Sequence, residues 1–227
     1  MSRLSQSITI PLRRCVRPSK LLGSILPAEY EAQCSAYLDY LDNQIERVEN
    51  ALVGTVTERK TLYYINGNNN KGLYKTAGAD TMNEAWANYA YTDFVTSPLL
   101  TSNETNVDAE AVLATDPEYV VIGGRYQDIL RDELLSTSEW SNIRAVANGN
   151  VLTAPFGISP FDRFGAEFAM MIPWLANQVY PNLFEYDSVA EIKDFYKTFS
   201  RYDMTDQEAE YIVQGLMPDG TREIGSN

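Results

Sequence analysis

Two arginines stand where the chain can present a fixed cation to a ligand. Arg125 follows Gly123 and Gly124 directly after an apolar run, and Arg163 lies between Asp162 and Phe164 in a stretch rich in proline and glycine. A guanidinium at such a position pairs bidentately with carboxylates or phenolates. The bland alternatives are a solvent-facing arginine at a helix start for Arg125 and an ion pair with Asp162 for Arg163. Around them Tyr74, Tyr126, Phe156 and Phe161 fall at predicted strand ends and loops, which suits a site that grips a large planar or hydrophobic ligand by contact area, although each alone also fits a core. Lys75 and Thr76 supply polar contacts there or form a solvated hairpin edge, and Glu104 completes the set of candidate ligand contacts. Glu110, taken alone, reads as a solvated helix residue.

Other chemistries are narrowed by what the chain contains. It has no histidine, which removes imidazole-based triads, His-ligated metal sites and the usual acid/base group near neutral pH. Gly123-Gly124 precedes a predicted helix, but neither dinucleotide-binding nor P-loop spacing follows. Asp162 and Glu167 could be a hydrolytic carboxylate pair, which keeps a small acidic hydrolase as a third reading, although spacing in sequence says nothing about separation in space. Cys15 and Cys34 make no disulfide framework and no zinc spacing. With 31 acidic and 18 basic residues the net charge is −13, which argues against nucleic acid as a partner. No apolar run reaches the ~20 residues that span a bilayer, and no export signal opens the chain. Residues 1–20 read as a basic tail rather than the start of a domain.

The elements that must position these residues follow from periodicity. Apolar residues Tyr30, Cys34, Leu38, Leu41, Ile45, Val48 and Leu52 recur every three or four positions and predict a long amphipathic helix over 29–52. Thr61 to Ile65 reads as a strand running into the turn-forming Asn66 to Gly72. Met82 to Tyr91 predicts a helix, and Thr105-x-x-Asp108 resembles a capping box ahead of another that ends near Ala114. Asp116-Pro117 breaks that helix before the apolar run Tyr119 to Ile122, as in a buried parallel strand. A helix from Tyr126 to Leu135, a strand Val151 to Thr153, a shaped loop Ala154 to Arg163 and a helix from Gly165 to Val179 kinked at Pro173 follow. Ser188-x-x-Glu191 and Thr205-x-x-Glu208 announce two terminal helices. The alternation predicts an α/β fold, a layered sheet of mostly parallel strands flanked by helices and preceded by a long helix. Ligands in such sheets sit beyond the carboxyl ends of strands, here Tyr74 to Gly78, Gly123 to Tyr126 and Ala154 to Arg163.

Four stretches, in order, resemble the second half of the substrate-binding proteins of ABC importers for iron siderophores, haem and cobalamin. They are Val107 to Gly124, with a glutamate-bearing helix, an Asp-Pro break and a buried strand; Trp140 to Leu152; Phe161 to Glu167; and Asp194 to Phe199. The resemblance covers roughly residues 21–215 and implies 21–58 as the helix joining two lobes, 59–218 as the C-terminal ligand-binding lobe, and 219–227 as a tail. The first lobe is expected to be missing. It also implies a non-catalytic protein with no intrinsic cofactor, a ferric chelate, haem or cobalamin as ligand, an ABC permease as partner with Glu110 as the docking glutamate, and an extracytoplasmic location.

Two departures stand out. Phe161 replaces the tryptophan common in the third motif, and Ala90-Tyr91-Thr92 stands where Gly-Gly-Asn is usual after the lobe's first helix. The alternative to a working receptor is a truncated lobe acting as an interaction module or a non-functional fragment, its half-cleft covered by a separately encoded first lobe or by a homodimer.

Overall fold

The computed structural model describes residues 28–68, 72–101 and 105–222; the basic tail, Cys15 and Glu104 lie outside them. A long helix, α1 (Ala28–Leu52), leads into β1 (Lys60–Ile65), β2 (Lys75–Thr76), α2 (Met82–Tyr89), β3 (Thr92–Phe94), β4 (Thr105–Asn106), α3 (Ala109–Thr115) and β5 (Tyr119–Ile122). After these come α4 (Gln127–Ser136), the short α5 (Arg144–Ala147), β6 (Val151–Thr153), α6 (Phe168–Val179), α7 (Ser188–Phe195), a π-helical turn (Tyr196–Ser200) and α8 (Asp206–Val213).

Four strands form one parallel sheet in the order β3-β1-β5-β6, with Leu62 to Ile65 of β1 registered on Tyr119 to Ile122 of β5. The alternation of side chains along a strand explains why both faces are dry. Leu62 and Tyr64 of β1 join Val121 in one core with Trp86, α1 and α6. Tyr63 and Ile65 join Val120 and Ile122 in a second core with Leu130, Leu134 and Trp140. The result is a three-layer α/β/α domain, as the strand and helix alternation predicts.

The packing face of α1 includes Leu41, Val48 and Leu52 as its periodicity predicts, but it is wider. Tyr37 meets Phe199 edge-on and Tyr40 meets Phe195 and Phe199 in tilted and edge-on contacts, with ring centroids 5.5 to 5.8 Å apart, and Gln44, one turn on from Tyr40, is also buried. The Arg47 guanidinium lies 5.3 Å from the centre of the Tyr186 ring. The segment from Tyr186 to Phe199 therefore packs against the middle of α1.

The edge of the sheet at the strands' N-terminal ends is closed by ion pairs. Lys60 Nζ is 2.8 Å from Glu118, whose carboxylate also accepts the Thr61 backbone N–H at 3.2 Å. Burial pushes the Glu118 carboxyl up, but these bonds and Arg144 outweigh it and hold the group below its ordinary value. Asp116, left-handed at φ 42° where it ends α3, accepts the Arg144 backbone N–H at 2.8 Å and pairs with its side chain. The Asp-Pro break thus stitches α3 to α5.

Several local expectations are corrected. Strand β3 follows Tyr91, which takes the left-handed turn itself at φ 64°, its carbonyl accepting the Tyr180 hydroxyl at 2.8 Å and its ring lying 4.7 Å below Arg59. Tyr74 to Gly78 does not end a parallel strand, because Lys75 and Thr76 pair antiparallel with Asn106 and Thr105 in a separate ribbon. The helix predicted from Gly165 begins at Phe168. The N-cap of α3 is Asp108, which accepts from Ala111 N–H, since Thr105 is held in β4; Asp187, not Ser188, caps α7. The Thr205 and Glu208 box is fully formed. Because a capping side chain satisfies an otherwise unpaired helix donor, Asp108→Ala should lower stability by about 1 kcal/mol. Thr105→Ala should stay within about 0.5 kcal/mol. Urea denaturation of the two variants checks the assignment.

Candidate ligand-binding site

Parallel strands place all their carboxyl ends on one edge, so the segments after β1, β3, β5 and β6 share it. A single buried carboxylate joins three of them. Asp162 is wholly inaccessible to water; its Oδ2 accepts the Tyr64 hydroxyl of β1 at 2.5 Å and its Oδ1 accepts the Gly124 N–H after β5 at 3.2 Å. Its backbone carbonyl accepts Asn83 Nδ2 of α2 at 3.3 Å. A buried charge is stable only when donors surround it. Gly123 is needed for that approach, because a Cβ there would stand 2.1 Å from Asp162 Oδ2.

Arg163 continues the network outward. Its Nε lies 3.4 Å from Asp162 Oδ2 and its Nη2 donates to Asn66 Oδ1 at 2.7 Å, with the side chain about one fifth exposed. The ion pair with Asp162 is therefore real, and Asn66 fixes the fork from the far side. Asn66 also accepts the Asn68 N–H at 3.1 Å, while the Gly67 carbonyl accepts the N–H groups of Arg125 and Tyr126 at 2.8 and 3.0 Å. The loops after β1, β5 and β6 are knitted into one surface.

The candidates divide sharply by exposure. Arg125 is exposed at the rim and Tyr126 and Lys75 are half-buried. Tyr74 packs against Trp140, whose indole N–H donates to its hydroxyl at 3.2 Å, so most of its ring belongs to the second core. Thr76 is buried and donates to the Tyr64 carbonyl at 2.6 Å, which makes it a tie between β2 and β1. Phe156 and Phe161 are also buried and support the loop from beneath instead of lining its surface. Two apolar side chains not among the candidates take the exposed places: Ile158 at 70% and Phe164 at 72%. Hydropathy alone points the wrong way for both; the available signal was the predicted strand-end loop, which contains Ile158 and ends directly before Phe164. Glu110 is exposed in the first turn of α3, and since that helix returns to the start of β5, this turn lies toward the same edge.

The arrangement can hold a ligand but offers no catalytic pair. Asp162 and Glu167, the hydrolytic candidates, are both buried and each accepts protein donors, Tyr64 for the first and Tyr196 for the second. Among the described residues no group of three or more Cys, Asp or Glu is placed to hold a metal ion, and no helix is long and apolar enough to cross a membrane. Removing one donor from a buried carboxylate leaves it short of a partner even with the Gly124 N–H and Arg163 still in place, so Tyr64→Phe should cost about 1–3 kcal/mol, whereas Tyr63→Phe, which loses a bond to the neutral Leu73 carbonyl, should cost about 1 kcal/mol. Paired guanidinium denaturation curves check the difference.

The fold of this chain is shared with known proteins. The chain is similar to an ABC transporter solute binding protein from Sulfurospirillum deleyianum at 17% identity and a TM-score of 0.72, over 88% of this chain and 61% of that one. It is similar to a periplasmic solute binding protein from Veillonella parvula at 26% identity and a TM-score of 0.67, over 87% of this chain and 59% of that one. A molybdate periplasmic binding protein from Haemophilus influenzae, solved with molybdate bound, matches at 20% identity and a TM-score of 0.69, over 84% of this chain and 56% of that one. This chain thus spans about three fifths of the length of these structures. No curated protein matches the sequence. Residues 19–157 match the family described as periplasmic binding protein, a family of binding proteins and not of enzymes, and the chain belongs to that family.

Proposed function

We propose that this chain supplies one lobe of an ABC importer's solute-binding protein and that its ligand is an anionic metal chelate with a planar or apolar body, such as a ferric siderophore, haem or a corrinoid. One observation carries the reading: two arginines, Arg125 and Arg163, share the sheet's C-terminal edge with the exposed side chains of Ile158 and Phe164. Apolar contact area binds the body of such a ligand, while a guanidinium held by Asp162 and Asn66 meets its carboxylates or phenolates in a fixed geometry. The molybdate-bound neighbour carries a small oxyanion, so the apolar pair is the feature that favours a larger ligand here.

In this reading α1 is the helix joining two lobes, the ligand is enclosed from the opposite side by a second lobe, and the protein works outside the cytoplasm. Glu110 approaches arginines of a permease. Its exposure in a first helical turn near the ligand edge supports that role, because exposed opposite charges set orientation and encounter rate more than affinity.

Isothermal titration of the folded chain with gallium(III) tris-catecholate, haemin and cyanocobalamin tests the proposal. Saturable heat with one class is expected, weakened about tenfold by Arg163→Ala and by Phe164→Ala, the range of a well-placed interface contact. Arg144→Ala, on the opposite edge, should leave affinity unchanged. No saturable heat with any class, or equal loss in all three variants, would overturn it.

A further inference from the structure

Beneath the exposed loop lies a second buried carboxylate that the proposed ligand edge does not use directly. Glu167 is buried just before α6, and its Oε1 accepts the Tyr196 hydroxyl at 2.9 Å and the Ser159 N–H at 3.4 Å. Its Oε2 accepts the Ser159 hydroxyl at 3.4 Å. The Tyr196 oxygen in turn accepts the Ile158 N–H at 3.1 Å. The phenol is therefore a hinge pin between the loop and the carboxylate: it donates to one and accepts from the other. Burial, and after it the nearby Glu167 charge, push the Tyr196 phenol well above its usual value, so it remains a donor across the physiological range.

The chain is shaped to reach this pair. A Cβ on Gly157 would stand 2.2 Å from the Tyr196 hydroxyl, and one on Gly165 would stand 2.2 Å from Ser159 Oγ. Each exposed apolar residue neighbours one of these clamped points, Ile158 between Gly157 and Ser159, and Phe164 beside Gly165. Tyr196 opens the π-helical turn, a rare geometry often associated with functional positions, whose flanking rings Phe195 and Phe199 pack on Tyr40 and Tyr37 of α1. An apolar filler at position 167 would avoid the desolvation of a charge, so a carboxylate here has its explanation in fixing a conformation more than in adding stability.

We propose that Glu167 and Tyr196 are a positioning pair that holds Ile158 and Phe164 out at the sheet's C-terminal edge and so sets the shape of the apolar half of the ligand site. The ligand part of this inference rests on the function proposed above; the positioning part does not. In the ligand-free protein, amide hydrogen exchange followed by NMR should show the Ile158 and Ser159 amides protected. Tyr196→Phe and Glu167→Leu should each raise exchange at these two amides about tenfold, the scale of one lost hydrogen bond, while the β1 amides of Tyr63 to Ile65 stay unchanged. Glu167→Gln, which keeps an acceptor for Tyr196, should retain protection. Uniform acceleration across the whole chain, no change at the two loop amides, or Glu167→Gln behaving like Glu167→Leu would overturn the positioning role. With the chelate that gives heat, Tyr196→Phe should weaken binding several-fold although Arg163 is intact. A loosened loop with unchanged affinity would sever the pair from ligand binding, whereas a chain silent toward all three probes would count against the ligand reading alone.

Discussion

A carboxylate shut away from water dictates the arrangement of the sheet's C-terminal edge. Asp162 must be met by donors, and the donors available come from different parts of the chain: the Tyr64 hydroxyl from β1 and the Gly124 N–H from the turn after β5, with the Arg163 guanidinium beside it. Satisfying that one group brings the loop after β6 onto the ends of two central strands. It also sets the direction of Arg163, which then reaches Asn66 and closes the surface over the loop after β1. Without Asp162 at its position, Arg163 would lose the ion pair that complements its bond to Asn66.

The two edges of the sheet differ in how their charges are used. At the N-terminal edge Lys60, Glu118, Asp116 and Arg144 pair with each other and with backbone groups across β1, α3 and α5, so the charge there is spent on holding elements together. At the C-terminal edge two buried carboxylates, Asp162 and Glu167, sit below the surface and the groups they orient lie above it. The polar interior thus supports an apolar, cation-bearing rim. That inversion of the usual order is the feature on which the proposed ligand site rests.

Much of this fold was legible in the sequence because the central strands announce themselves. Thr61 to Ile65, Tyr119 to Ile122 and Val151 to Thr153 are apolar runs bounded by turn formers, and α1 repeats its leucines and valines at helical spacing. Strand β3 was not legible, since three residues carry no periodicity and its preceding turn uses Tyr91 in place of a glycine. Capping boxes split for a physical reason: Thr205 is free to cap α8, while Thr105 is taken up by pairing with Thr76. The site was half legible. Arginine placement follows from strand ends, but burial depends on contacts distant in sequence, and so Thr76, Phe156 and Phe161 went inside while Ile158 and Phe164 stayed out. The bond from Tyr64 to Asp162 joins residues 98 apart, and no local pattern foretells it.

The most direct test of a ligand surface at the sheet's C-terminal edge is backbone amide shift mapping, with gallium(III) tris-catecholate, haemin or cyanocobalamin, whichever binds, added to the isotopically labelled chain. The account predicts that the largest changes fall at Asn66 to Asn68, Gly123 to Tyr126 and Phe156 to Gly165, with little change at Lys60, Thr61 and Asp116 to Glu118. Changes concentrated at that second group, or along the exposed face of α1, would contradict it.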